Sequence, residues 1–196
     1  MTPLQARRHV PPIFYVAAAA GIILVAVMIL LSMGRTPWYR FGPVKLWYGN
    51  AWGPESSQQL TDPYTLTHVT HGVLLYCLLQ LVARRRPLGT RAVLTVLLES
   101  GWEVLENTDM VINRYRAATM ALGYYGDSVL NSVGDILACT VGFALASRLP
   151  TLVTIVLVIA LEVALTLWIR DSLLLNIIML VHPIDAVKTW QLGAAS

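Results

Sequence analysis

Charge is the first thing this sequence lacks. Of its 196 residues only 13% are Asp, Glu, Lys or Arg, while 56% are hydrophobic. An average soluble domain carries about 25% charged residues. A soluble or disordered chain of this length needs a polar exterior that this composition does not supply, so both classes are excluded. Cysteine is equally scarce. Cys77 and Cys139 each sit inside an apolar run and form no C-x-x-C pair, which excludes a disulfide scaffold, a thiolate metal site and a redox dithiol. Internal repeats, low-complexity tracts and the P-loop, HExxH and GxSxG patterns are all missing, so the common nucleotide, zincin and serine-hydrolase signatures give no lead. The net charge of +3 comes from basic residues that are scattered or placed at the ends of apolar runs. Without a basic stripe carrying interleaved aromatics, a nucleic-acid partner is not expected.

What the chain has is apolar length, with a mean hydropathy of +0.62. Runs near 13–33, 64–82, 92–110, 129–146 and 152–169 each suit a helix that crosses the hydrocarbon layer. The first follows Arg7, Arg8 and Pro11-Pro12, exceeds a signal-peptide core in length and lacks a small-x-small cleavage site, so it reads as a retained span. A sixth run, Leu173 to Val181, ends at Pro183 and covers roughly 14 Å, less than half a bilayer core. The fold expected is all-α: a polytopic membrane helical bundle of about five transmembrane helices plus a short C-terminal re-entrant or interfacial helix, all in one integral membrane domain, 1–196.

Lys and Arg in short loops set orientation. Arg7 and Arg8, then Arg84, Arg85, Arg86 and Arg91, then Arg148, assign the N-terminus and two tight loops to the cytoplasm. His9 reads as a solvated neighbour of that N-terminal pair. The long first loop, the 111–127 segment and the C-terminus then face the periplasm, in a cell inner membrane. Trp38, Tyr39, Phe41, Trp47, Tyr48 and Trp52 crowd the first loop and suit a headgroup belt.

Against this background the polar residues are out of place. Glu99, Glu103 and Glu106 recur at i, i+4 and i+7, His68 and His71 at i and i+3, and Asp127, Asn131 and Asp135 at i, i+4 and i+8. Each set is one stripe on one helix face. A carboxylate at the centre of a span costs about 2.5–3.5 kcal/mol on an insertion scale, so partners inside the bundle have to compensate. Measured inward from the flanking arginines, His71, Glu103, Asp135 and Glu162 all lie about 12–14 residues deep, near 18–20 Å. This predicts one shared level in the periplasmic half. From Glu99 to Asp135 six acidic residues (Glu99, Glu103, Glu106, Asp109, Asp127, Asp135) face two basic ones, Arg114 and Arg116, a surplus of four negative charges. Protons or a bound cation have to relieve it.

His68-x-x-His71-Gly72, Glu99-x-x-Trp102-Glu103-x-x-Glu106-Asn107, Arg114-Tyr115-Arg116-x-x-Thr119 and Tyr125-Gly126-Asp127-Ser128-x-x-Asn131-Ser132-x-x-Asp135, with a tail from Arg170-Asp171-Ser172 through Asn176 and His182-Pro183 to Trp190-Gln191, resemble the uncharacterised protein family 0314 of bacterial multi-pass inner-membrane proteins with a domain of unknown function. The resemblance implies a location and a fold, not an activity. A looser likeness of Gly126-Asp127, Asn131 and Asp135 to small VanZ-like membrane proteins carries no function.

From the residues, the leading expectation is an intramembrane metal-dependent hydrolase or transferase acting on a lipid-linked substrate. His68, His71 and Glu106 would hold a divalent metal, zinc or similar. Glu103, Asp135 and Glu99 would supply acid–base catalysis. Arg114, Arg116, Asp127 and Asn131 would meet the substrate headgroup. Three alternatives stand beside it: a proton- or ion-coupled carrier, a metal-free acid enzyme with a proton shared between Glu103 and Asp135, and a structural or assembly protein with a buried polar network. Gly126-Asp127-Ser128 reads as a helix N-terminus capped by Asp127 or Ser128. Arg114 and Arg116 are also expected to pair with carboxylates.

Overall fold

The computed structural model describes residues 10–193, and Arg7, Arg8, His9 and Ser196 lie outside them. Among the described residues every regular element is a helix: α1 Pro12–Ser32, α2 Thr65–Val82, α3 Leu88–Glu106, α4 Asp109–Ala118, α5 Val129–Ala146, α6 Thr151–Ile169, α7 Leu173–Val181 and α8 Asp185–Leu192. All five long apolar runs are helical. Four of the helices, α1, α2, α5 and α6, are long and apolar enough to cross a membrane. α3 is as long as α6 but carries Arg91, Glu99, Glu103 and Glu106.

α5 forms the centre, with 56% of its length buried against 11% for α1 and 17% for α6. α2 lies along α5, α3 packs against α5 and α1, and α6 covers an edge beside α2. The outer faces of α1 and α6 present side chains such as Ile13, Leu24, Leu152 and Leu167, the surface a lipid environment accepts at no cost. α2 and α5 touch backbone to backbone. A Cβ on Gly72 would sit 1.9 Å from the Cys139 carbonyl oxygen, and one on Gly142 would sit 2.0 Å from that of Val69. Small residues at a crossing let two helices approach until their main chains meet, which draws the polar faces of both together.

The third apolar run differs from its expected form. Helix α3 stops at Glu106, Asn107 caps its end, and Thr108 opens α4 by accepting from the Val111 amide at 3.5 Å. Asp109 is therefore not on the carboxylate stripe. It lies in the first turn of α4, its side chain 91% exposed, with Arg35 at 3.5 Å.

The segment 33–64 is a folded cap. Gln58, Gln59 and Asp62 are buried. Gln58 donates to the Gly126 carbonyl at 2.8 Å, Ser128 donates to the Gln58 carbonyl at 3.0 Å, and Asn131 donates to the Gln59 carbonyl at 2.9 Å. Asp62 accepts from the Ser57 and Tyr64 amides at 2.6 and 2.8 Å. These bonds clamp the cap onto the start of α5. Its aromatics stay at the rim, with Trp38 and Phe41 exposed and Trp47 stacked on Trp168.

Candidate functional site

Three helices bring the predicted stripes together. His68 and His71, one turn apart on α2, both turn Nδ1 to a single oxygen of Glu99 on α3, at 2.6 and 3.0 Å. Their rings meet edge to face, and His71 meets Trp102 in the same way. His68 also lies 3.4 Å from Glu103 Oε1 and, through Nε2, 3.9 Å from Asp135 Oδ2 on α5. One imidazole thus stands among three carboxylates. Glu103 is fully buried, and among the described residues neither of its carboxylate oxygens has a hydrogen-bond partner; Asp135 Oδ1 lacks one too.

A second layer sits at the α3–α5 junction. Asn107 donates to Asp127 Oδ2 at 2.8 Å and accepts from the Asp127 amide at 2.7 Å. Tyr124 donates its hydroxyl to the same carboxylate at 3.0 Å. Gly126, at φ +96°, makes the turn possible: a Cβ there would run into Asn107 and Arg35. Burial raises the Asp127 pKa above its ordinary value, against the lowering effect of the Asn107 and Tyr124 hydrogen bonds. Burial also holds the Tyr124 hydroxyl well above the ordinary tyrosine range. Tyr115 on α4 donates to Glu106.

These groups form overlapping sets. His68, His71 and Glu99, then His68, Glu103 and Asp135, and then Glu103, Glu106 and Asp127 each offer one ligand atom within 4.8 Å of the others. The expected metal set His68, His71 and Glu106 is divided among them: the two histidines converge on Glu99, while Glu106 belongs to the carboxylate group at the α3–α5 junction. A cavity of about 350 Å³ opens onto His68, His71, Glu99, Glu106, Asp127 and Asp135 and continues between Leu74, Leu98, Ile177 and Leu180.

The remaining predicted residues are placed elsewhere. Glu162 does not join the cluster, and it accepts from the Leu174 amide at the start of α7 at 3.0 Å. Arg114 donates to the Leu180 carbonyl at 2.8 Å and Arg116 to that of Tyr124, so each guanidinium meets backbone where carboxylates were expected. Asn131 braces the cap, and Ser128 is the N-cap of α5, accepting from the Asn131 amide at 3.1 Å. Asp171, not anticipated as a site residue, lines the cavity. It accepts from the Ser172 amide at 2.9 Å and from Tyr64 and Asn176 at 3.3 Å, and burial lifts its pKa to about 6. The sequence signal for it was its position in the polar tail, and no spacing linked it to Tyr64.

A family model described as "Protein of unknown function (DUF2585)" matches residues 30–193. The UPF0314 protein of Paracoccus denitrificans is 52% identical over 171 residues, covering 87% of this chain and 88% of the relative. The UPF0314 protein R03235 of Rhizobium meliloti is 48% identical over 179 residues, covering 91% of each. One from Novosphingobium aromaticivorans is 49% identical over 182 residues, covering 90% of this chain and 91% of the relative. No solved structure matches. With four helices apolar enough to span a membrane and a buried polar centre between them, the chain belongs to the DUF2585/UPF0314 family.

Proposed function

We propose that this is a five-span inner-membrane protein that binds and exchanges a cation inside its bundle, as a proton- or ion-coupled carrier does. Glu103 carries the reading: it is fully buried, with both oxygens lacking hydrogen-bond donors, and Asp135 Oδ1 shares that condition. A network that serves packing alone satisfies its buried polar atoms, because an unpaired buried charge costs several kcal/mol. These oxygens are instead free to take a proton or a metal ion. His68, Glu103 and Asp135 offer one imidazole and two carboxylates, a donor set suited to zinc or a similar divalent ion. Glu99, holding His68 through Nδ1, is the outer partner that fixes the ring. A departing ion leaves Glu103 and Asp135 to be protonated, and that exchange is the elementary step of coupling.

A second reading, the metal-dependent hydrolase or transferase acting on a lipid-linked substrate in the periplasmic half of the bilayer, is favoured by the cavity that reaches His68, Glu99 and Asp135. There a bound ion would activate water, and Glu99 or Glu103 would serve as base.

Metal analysis of the detergent-purified chain under non-chelating conditions tests the shared premise. The expected result is one divalent ion per wild-type chain, with affinity at least tenfold weaker in Glu103→Gln and in His68→Ala. Wild-type protein that takes up neither zinc nor a related ion, and whose liposomes move none against a pH gradient, sinks the carrier. Ion binding without flux shifts the weight to the enzyme.

A further inference from the structure

We propose that the cavity beside this cluster takes a cationic amphiphile, a protonated primary amine on an alkyl chain, with the ammonium at Asp135 and the chain between α2, α3 and α7. The lining divides in two. Its floor holds Glu99, Glu106, Asp127, Asp135 and Asp171 with His68 and His71, and its walls are aliphatic, with Leu74, Leu98, Ile177 and Leu180 among them. Its size, about 350 Å³, is at the lower end for a small-molecule pocket.

Charge complementarity selects the headgroup. None of the residues lining the cavity is Lys or Arg, so a phosphate or carboxylate entering it would meet five acidic side chains with only His68 and His71, already facing Glu99 and Asp135, to set against them. The arginines adjacent in sequence to lining residues, Arg114, Arg116 and Arg170, are committed to the Leu180, Tyr124 and Trp190 carbonyls. An ammonium brings three N–H donors and a positive charge to a floor rich in carboxylates. Asp135 supplies the acceptor: it is 3% exposed, lines the cavity, and its Oδ1 has no partner. The aliphatic walls then take the chain by the ordinary gain of removing apolar surface from a polar setting.

This proposal rests on the cation-binding reading only in that Asp135 receives a cation in both. Glu103, which carries that reading, is absent from the cavity lining, and this separates the two experimentally. The test uses the full chain in neutral-lipid nanodiscs, with empty nanodiscs as blank, and compares dodecylamine, dodecanol and dodecyl phosphate at equal concentration beside zinc binding. Dodecylamine is expected to bind saturably at one per chain, at least tenfold tighter than the other two. Asp135→Asn should weaken it tenfold or more. The cavity-filling changes Leu98→Trp and Ile177→Trp should do the same while leaving zinc binding intact. Glu103→Gln should lose zinc yet keep dodecylamine within twofold. Equal or tighter binding of dodecanol or dodecyl phosphate overturns the proposal, as does amine binding that neither Asp135→Asn nor the filled cavity affects. Amine binding by a chain that holds no zinc overturns the cation-exchange reading and leaves this one standing.

Discussion

At Asp171, burial raises the pKa and the hydrogen bonds from Ser172, Asn176 and Tyr64 lower it, and burial prevails, at about 6 against an ordinary 3.8. The sign follows. Between about pH 4 and pH 6 the unfolded chain has released this proton and the folded one still holds it, so stability falls as pH rises through that window and levels off above it. The shift corresponds to at most about 3 kcal/mol. Asp171→Asn should remove that slope. Melting curves of wild type and variant in detergent from pH 4 to 7 are expected to converge at the acid end and separate towards neutrality, and parallel curves would refute the assignment. Legibility at this scale was uneven. His68, Glu99, Glu103 and Asp135 were visible because helical spacing puts like residues on one face. Glu162 was misplaced because depth along a helix does not give rotation about it. The partners that come from turns, Tyr124 and Gln58 above all, were hidden because no periodicity governs a loop.

Among the elements, the approach of α2 to α5 decides whether a site exists. His68 sits one turn before Gly72, and Asp135 two turns before Gly142, so the two closest backbone contacts fix the gap that the imidazole and the carboxylate share. Gly142→Val would drive a side chain into the Val69 carbonyl, and overpacking of this kind costs about 1–3 kcal/mol. The expected outcome is a melting temperature several degrees lower together with weaker metal binding. Gly101→Ala on α3 is the matched control, because nothing lies within 4 Å of its added Cβ. It should be neutral or stabilise the helix by about 0.5–1 kcal/mol. Equal effects of the two changes on stability and on metal binding would show that the α2–α5 approach does not set the site. The apolar runs announced these helices correctly, and their lengths were nearly right. The break after Glu106 is not legible in the sequence because Met110 and Val111 resume the apolar pattern beyond the polar Asn107-Thr108-Asp109, while backbone and cap hydrogen bonds end α3 at Asn107 and open α4 at Thr108.

For the whole molecule, the open matter is whether α3 crosses with the others, since four crossings leave both termini on one side and five separate them. Composition argues against α3, with its three glutamates and Arg91. Packing argues for it. Its start lies beside the start of α1, where a Cβ on Gly89 would strike the Tyr15 ring. Just past its end, Asp109 meets Arg35, just past the end of α1. Two helices that begin together and end together traverse the same thickness, and α3 hides Glu99 and Glu103 from lipid by facing α2 and α5. The cap, α4, the start of α5 and α7 gather at this end through Gln58, Arg35 and Arg114, while Arg84, Arg85 and Arg86 mark the loop between α2 and α3 at the other. By the positive-inside rule the arginine end is expected in the cytoplasm. Paired topology reporters should therefore give a cytoplasmic signal when inserted at Arg85 and a periplasmic one when fused after Ser196. Cytoplasmic signals from both would mean that α3 does not cross, and the carboxylate stripe would then lie at the membrane surface. Signals reversed at both positions would keep the five crossings and place the cavity in the cytoplasmic half.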